Sequence, residues 1–138
     1  MSADDSYDED AHYRKIASRY SVSTMSNAKW LRLFRAVIAA NVVIEKAEWR
    51  FLANDHPSSL PFPQEKDLRP TRFADGPFQP VAYRWIESVF APREYAPRPG
   101  IGLRRRQDIA GLRAAIEAAG LFELEEDRNG LTLVAYRP

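Results

Sequence analysis

Apolar residues recur with a helical period from Lys29 to Asn41. At ~100° per residue, Trp30, Leu31, Leu33, Phe34, Val37 and Ile38 share one side, and Lys29, Arg32 and Arg35 fall on the other. Ser26 or Asn27 can accept from the open amides of the first turn, and Asn41 suits the stop. A second helix is predicted from about Asp108 to Ala119, with Ile109, Leu112, Ala115, Ile116 and Ala119 on its inner side. Asp108 serves as its cap, and Gly120 takes the left-handed position past its end.

Between the helices the period falls to two. The β-branched run Val42-Val43-Ile44 leads into Ala47, Trp49 and Phe51, which alternate with Lys46, Glu48 and Arg50. That pattern predicts a strand, closed by a turn at Asn54-Asp55-His56-Pro57. Nine of the 10 prolines lie between Pro57 and Pro99, which excludes long helices there. One unbroken strand is predicted from Val81 to Phe90, apolar on both faces and ended by Ala91-Pro92. At the end of the chain, Asn129-Gly130 between two alternating segments predicts a hairpin with a tight turn that pairs Arg128 with Leu131. This register places Phe122, Leu124, Leu131, Leu133 and Ala135 on one face, and Glu123, Glu125, Thr132, Val134 and Tyr136 on the other. The expected fold class is α+β, with two amphipathic helices packed on one face of an antiparallel sheet of about four strands.

Charge divides this picture. The chain of 138 residues carries a formal net charge of only +1, yet Asp4, Asp5, Asp8, Glu9 and Asp10 all precede the first base, Arg14. Residues 1–24 are therefore expected to form an acidic, flexible segment, and residues 25–138 a single α+β domain. Tyr13, Ile16, Ala17 and Tyr20 offer at most a short helical stripe within that segment. No apolar run reaches membrane-spanning length, and the 0 cysteines point to a reducing, cytoplasmic setting without disulfides or thiolate metal sites. With 2 histidines, neither a metal nor another cofactor is expected.

The strongest cationic feature is Arg104-Arg105-Arg106, with Arg93 and Arg98 upstream in a connection rich in proline and glycine. Guanidinium forks pair bidentately with carboxylate or phosphate, so this loop is a candidate grip for an acidic protein partner or for nucleic acid. Tyr83 and Trp85, at strand spacing, are candidate anchors of an interface wherever the sheet leaves them near the surface. His56 is explained by the turn it sits in. Glu123 and Glu125 form a carboxylate pair that a small hydrolase would use, although the solvent face of an edge strand accounts for them more simply. Phosphate-cradling, esterase and zinc-protease motifs do not occur in the chain.

Three stretches together resemble a family of small bacterial proteins known only as a domain of unknown function: Ser26-Asn27-Ala28-Lys29-Trp30, Tyr83-Arg84-Trp85-Ile86, and Asn129 through Arg137. In size and make-up the chain is also similar to immunity proteins, which bind bacterial toxins stoichiometrically and perform no chemistry. The resemblance implies an immunity protein or antitoxin whose partner is a cognate toxin, with Tyr83, Trp85, Arg98, Arg104, Arg105 and Arg106 as candidate contacts and no catalytic residues. The alternatives are a nucleic-acid-binding module using the loop from Arg98 to Arg106, and a small hydrolase.

Overall fold

The helical stripe around Leu33 folds where its period places it. In the computed structural model, which describes residues 8–74, 80–98, 100 and 102–138, helix α1 (Glu9–Ala17) and strand β1 (Val22–Ser23) precede helix α2 (Asn27–Ala39). The Ser26 hydroxyl caps α2 by accepting from the Lys29 amide at 3.2 Å, and Asn41 turns the chain out of the helix at φ 58°. Then come β2 (Ala47–Phe51), β3 (Asn54–Leu60), β4 (Arg72–Phe73), β5 (Val81–Ala82), β6 (Ile86–Pro92), β7 (Glu94–Tyr95) and β8 (Arg105–Arg106). Helix α3 (Ile109–Ala119) and strands β9 (Leu124–Glu126), β10 (Gly130–Val134) and β11 (Tyr136–Arg137) complete the chain. Among the described residues, no helix is long and apolar enough to cross a membrane.

Five strands form the main sheet in the order β3-β2-β6-β10-β9, every pair antiparallel. Three ribbons accompany it: β1–β11, β4–β5 and β7–β8. One face of the sheet presents Ala47, Trp49, Val89, Ala91, Leu131 and Leu133, all buried against Trp30, Leu33, Phe34 and Val37 of α2 and Ile109, Leu112 and Ile116 of α3. On the other face, Ser59, Glu48, Phe90, Thr132 and Glu125 lie abreast and stay wholly or partly open. The α+β class and the one-sided packing of α2 and α3 agree with the sequence, with five sheet strands and three helices in place of four and two.

Local departures have physical causes. Val42-Val43-Ile44 stays outside the sheet, because Phe62 donates to the Ile44 carbonyl at 3.0 Å and holds this segment beside the prolines instead. Asn54 to Pro57 is not the turn; Leu52-Ala53 is, and the four residues open β3. Pro57 has no amide for the ladder, so Asp55, His56 and Pro57 bulge opposite Arg50 alone on an edge strand that tolerates the gap. The long strand predicted from Val81 breaks into β5, a 3₁₀ turn at Tyr83–Trp85, and β6. Tyr83 forces the break by turning its fully buried ring into the core, where its hydroxyl donates to the Arg69 carbonyl at 2.7 Å. Gly120 follows α3 at φ 151° and ψ −162°, a positive-φ conformation open essentially to glycine alone but outside the left-handed helical region.

The terminal hairpin pairs Leu131 with Glu126, two residues away from the expected register. Asp127 causes the shift: its carboxylate accepts from the amides of Asn129 and Gly130 at 2.8 and 3.1 Å, which opens a wider loop. A slip of two keeps every side chain on its face, so the predicted inner face of the hairpin survives.

Residues 8–24 lie against the same core as the rest, whereas Asp4 and Asp5 fall outside the described residues. Ile16 is buried, β1 pairs with β11, and the hydroxyls of Tyr13 and Tyr136 meet at 2.5 Å. Three well-spaced side chains, Tyr13, Ile16 and Tyr20, suffice to dock this polar segment, and composition averages them away. Ile16→Ala is therefore expected to lower stability by about 2 kcal/mol in a denaturant titration; an unchanged midpoint would show that α1 contributes nothing to the core. Gly130 offers a sharper test, since a Cβ built there would lie 2.1 Å from the Ala91 carbonyl oxygen, while one at Gly102 meets nothing within 4 Å. Gly130→Ala should cost at least ~2 kcal/mol and Gly102→Ala only about 1. Equal losses would refute the close approach of β10 to β6.

Candidate functional site

The arginines fold back on a ribbon. Glu94 pairs with Arg106 and Tyr95 with Arg105, so the connection expected to be an open loop is a hairpin anchored at its base. Gln107 supplies the anchor: its side-chain amide donates to the carbonyls of Lys46 and Pro92 at 2.9 and 2.8 Å and accepts from the Lys46 amide at 3.1 Å. Above that base, Arg105 meets Glu45 at 3.2 Å, while Arg106 and Arg104 approach Glu94 at 3.1 and 3.9 Å. The three arginine side chains remain 61–86% exposed. Arg98 is exposed and has no ion-pair partner among the described residues.

Glu45 is the acid that orders this end. Its carboxylate accepts from the Tyr95 hydroxyl at 2.5 Å as well as from Arg105, and these two donors hold its pKa below the ordinary value. The Tyr95 hydroxyl, bound to that carboxylate, is pushed up in turn. Arg93 is occupied elsewhere, on Glu126 and the Asp127 carbonyl, and Arg113 bonds the same Glu126 at 2.9 Å.

Trp85 lies at the opposite end of β6, seven residues of strand away, or about 23 Å. It lines a cleft of about 1050 Å³ between β3 and the β4–β5 ribbon, with Phe51, Asn54, Ser58, Arg72 and Arg84 among the other walls. The first turn of α1 caps this cleft. One oxygen of Glu9 accepts from both the Trp85 indole and the Arg84 guanidinium at 3.1 Å, and Asp10 takes Arg84 at 2.8 Å. Tyr13 packs edge-on to Trp85 and lies under Arg84, with 4.6 Å from guanidinium to ring. Beside them Tyr136 donates to the Arg84 carbonyl at 2.9 Å; burial and then its contact with Tyr13 raise its pKa. Tyr20 is pushed up to about 12, chiefly by its hydrogen bond to Glu87.

The six candidate residues thus separate. Arg98, Arg104, Arg105 and Arg106 share one hairpin, Trp85 sits at the far end of the central strand, and Tyr83 belongs to the core with no surface to offer. The carboxylates of Glu123 and Glu125 are joined by one guanidinium, Arg137, at 3.3 and 2.8 Å. His56 lies exposed on β3. Glu45, Tyr95 and Gln107 were invisible to sequence reasoning, because each acts on residues many positions away and none sits in a motif; Arg84 lay within one of the quoted stretches, but nothing local marked its partners Glu9 and Asp10.

The cap on the cleft carries a pH dependence. Hydrogen bonds from Trp85 and then Arg84 lower the Glu9 pKa, so its contribution to docking α1 is complete above the ordinary carboxylate range and lost as pH falls through the lowered folded value. Trp30 and Trp49 are buried, which leaves Trp85 as the responsive indole. An acid titration followed by tryptophan fluorescence should show a transition that Glu9→Gln and Trp85→Phe each remove; identical curves for wild type and Glu9→Gln would sink the assignment.

Compared with protein-family models, with curated proteins and with solved structures, the chain matches none.

Proposed function

We propose that this chain is a protein-binding module of the immunity or antitoxin kind, which neutralises a bacterial toxin by stoichiometric binding through the β7–β8 hairpin. The observation that carries the reading is the imbalance at that hairpin: among the described residues, Arg98, Arg104, Arg105 and Arg106 face only Glu45 and Glu94. At the cleft, by contrast, Arg84 is already matched by two carboxylates of the same chain. Unspent guanidinium groups held on an anchored ribbon are suited to steer and orient an acidic surface. A phosphate backbone is a poorer match, since Glu45 and Glu94 stand among the arginines and interrupt the track that a continuous anion needs.

Affinity capture from the native cell should recover one protein in equimolar amount. Replacing Arg104, Arg105 and Arg106 together by alanine should weaken that complex by about 10- to 100-fold, mostly through slower association. The melting point should barely move, because exposed ion pairs contribute little to folding. Binding to random-sequence DNA or RNA at physiological salt, lost in the same triple variant, would establish the nucleic-acid alternative in its place.

A further inference from the structure

We infer that an apolar groove beside the arginine hairpin receives a segment of the partner protein in which a short apolar run is flanked by acidic side chains, an inference that rests on the protein-binding reading above. The groove has a volume of about 420 Å³ and is walled by Val42, Val43, Pro61, Phe62 and the end of α2 at Ile38. Val43 is 68% exposed, which is unusual for a valine flanked by core residues. Its position is enforced. The Val42 amide donates to the Val37 carbonyl at 3.2 Å and the Phe62 amide to the Ile44 carbonyl at 3.0 Å, so the backbone on both walls is pinned before any partner arrives. A preformed groove spares the ordering entropy that a mobile one would lose on binding.

Charge selects the occupant. A second hollow of about 290 Å³, lined by Lys46, Tyr95, Pro97 and Arg105, continues from the groove and shares Glu45 and Pro61 with it. Lys46 and Arg105 outnumber Glu45, the one acid of this lining, and on the same hairpin Arg104 and Arg106 outnumber Glu94. Apolar centre and cationic rim form one continuous surface, as in interfaces whose core is dry and whose rim is polar. A basic segment would be repelled, and a purely apolar one would leave the rim unmatched. A second copy docked symmetrically on this face would set arginines against arginines. A nucleic acid would leave the groove unfilled.

The test selects short random peptides, displayed on phage, against the full chain, and then measures the enriched peptide by fluorescence polarisation. The expected motif is an apolar run flanked by Asp or Glu. Its binding should weaken about tenfold or more in Val43→Glu and by about two- to fivefold, mostly through slower association, in Arg105→Ala, both at exposed positions, and remain unchanged in Arg72→Ala at the distant cleft. Amide shifts on titration should centre on Val42, Val43, Phe62 and Tyr95. Enriched peptides without acids, failure of any peptide to enrich, shifts centred on the cleft, or sedimentation showing that a second copy covers the groove would each overturn the inference. The two readings separate on the captured partner itself. Sensitivity to the arginine triple variant but not to Val43→Glu removes the groove and leaves the protein-binding reading; indifference to both removes that reading as well.

Discussion

Everything between β3 and β6 depends on the ring of Phe34. From the middle of α2 it lies within 5.5–6.1 Å, centroid to centroid, of Trp30, Trp49, Phe62, Phe73 and Tyr83. Those five rings come from α2, β2, the proline-rich segment after β3, β4 and the 3₁₀ turn before β6. The excursion has little backbone structure of its own, since β4 and β5 pair over only two residues each. Aromatic contacts contribute roughly 0.5–1.5 kcal/mol apiece beyond the area they bury, so the rings and not the ladder hold this region to the core. Two of the polar atoms that these rings carry inside are paired: the Trp49 indole donates to the Leu60 carbonyl at 3.0 Å and the Tyr83 hydroxyl to that of Arg69.

That packing decides what the surface can do. With Tyr83 committed inward, the chain must turn at Tyr83–Trp85, and the turn aims Arg84 and Trp85 outward to the place where α1 docks. At the other end of β6, Gln107 joins the hairpin base to the neighbouring strand, so the arginines ride on the sheet rather than on a free loop. A single strand, with its inner residues fixed by the helices, separates Arg84, matched by two carboxylates, from a hairpin where Arg104, Arg105 and Arg106 share two.

The sequence was most legible where the deciding forces are local. Caps at Ser26 and Asp108, the stop at Asn41 and the faces of both long helices follow from residues within a turn of one another. A β period of two also forgives a register error of two, which is why the inner face of the last hairpin was readable although its turn was not. Legibility failed where distant packing overrides a local pattern. Tyr83-Arg84-Trp85 alternates like a strand, but a core ring and a remote carbonyl recruit Tyr83. Asn54 to Pro57 reads as a turn, yet an edge strand absorbs it as a bulge. The acidic terminus looked dispensable because its value lies in the buried Ile16 and in Tyr13 and Tyr20, whose hydroxyls find Tyr136 and Glu87 more than 60 positions away. For the site, the arginines were visible as a cluster, but Glu45, Tyr95 and Gln107, which set their posture, were not.

The separate energetics of the two parts of the proposed surface define a division of labour. Each exposed pair, Arg105 with Glu45 or Arg106 with Glu94, contributes little in water, so exchanging an internal carboxylate for one on a partner is close to neutral. Arginines in this state cannot supply much affinity. They add instead to the rate of encounter and reject partners of the wrong sign, effects that act over roughly a Debye length of 8–10 Å. Affinity must come from desolvating apolar area, and Val43 with the walls around it is the part of this surface where such area is both exposed and already in position. On the proposed reading, a hairpin of arginines beside a rigid apolar groove therefore gives specificity that is electrostatic and a residence time set by packing.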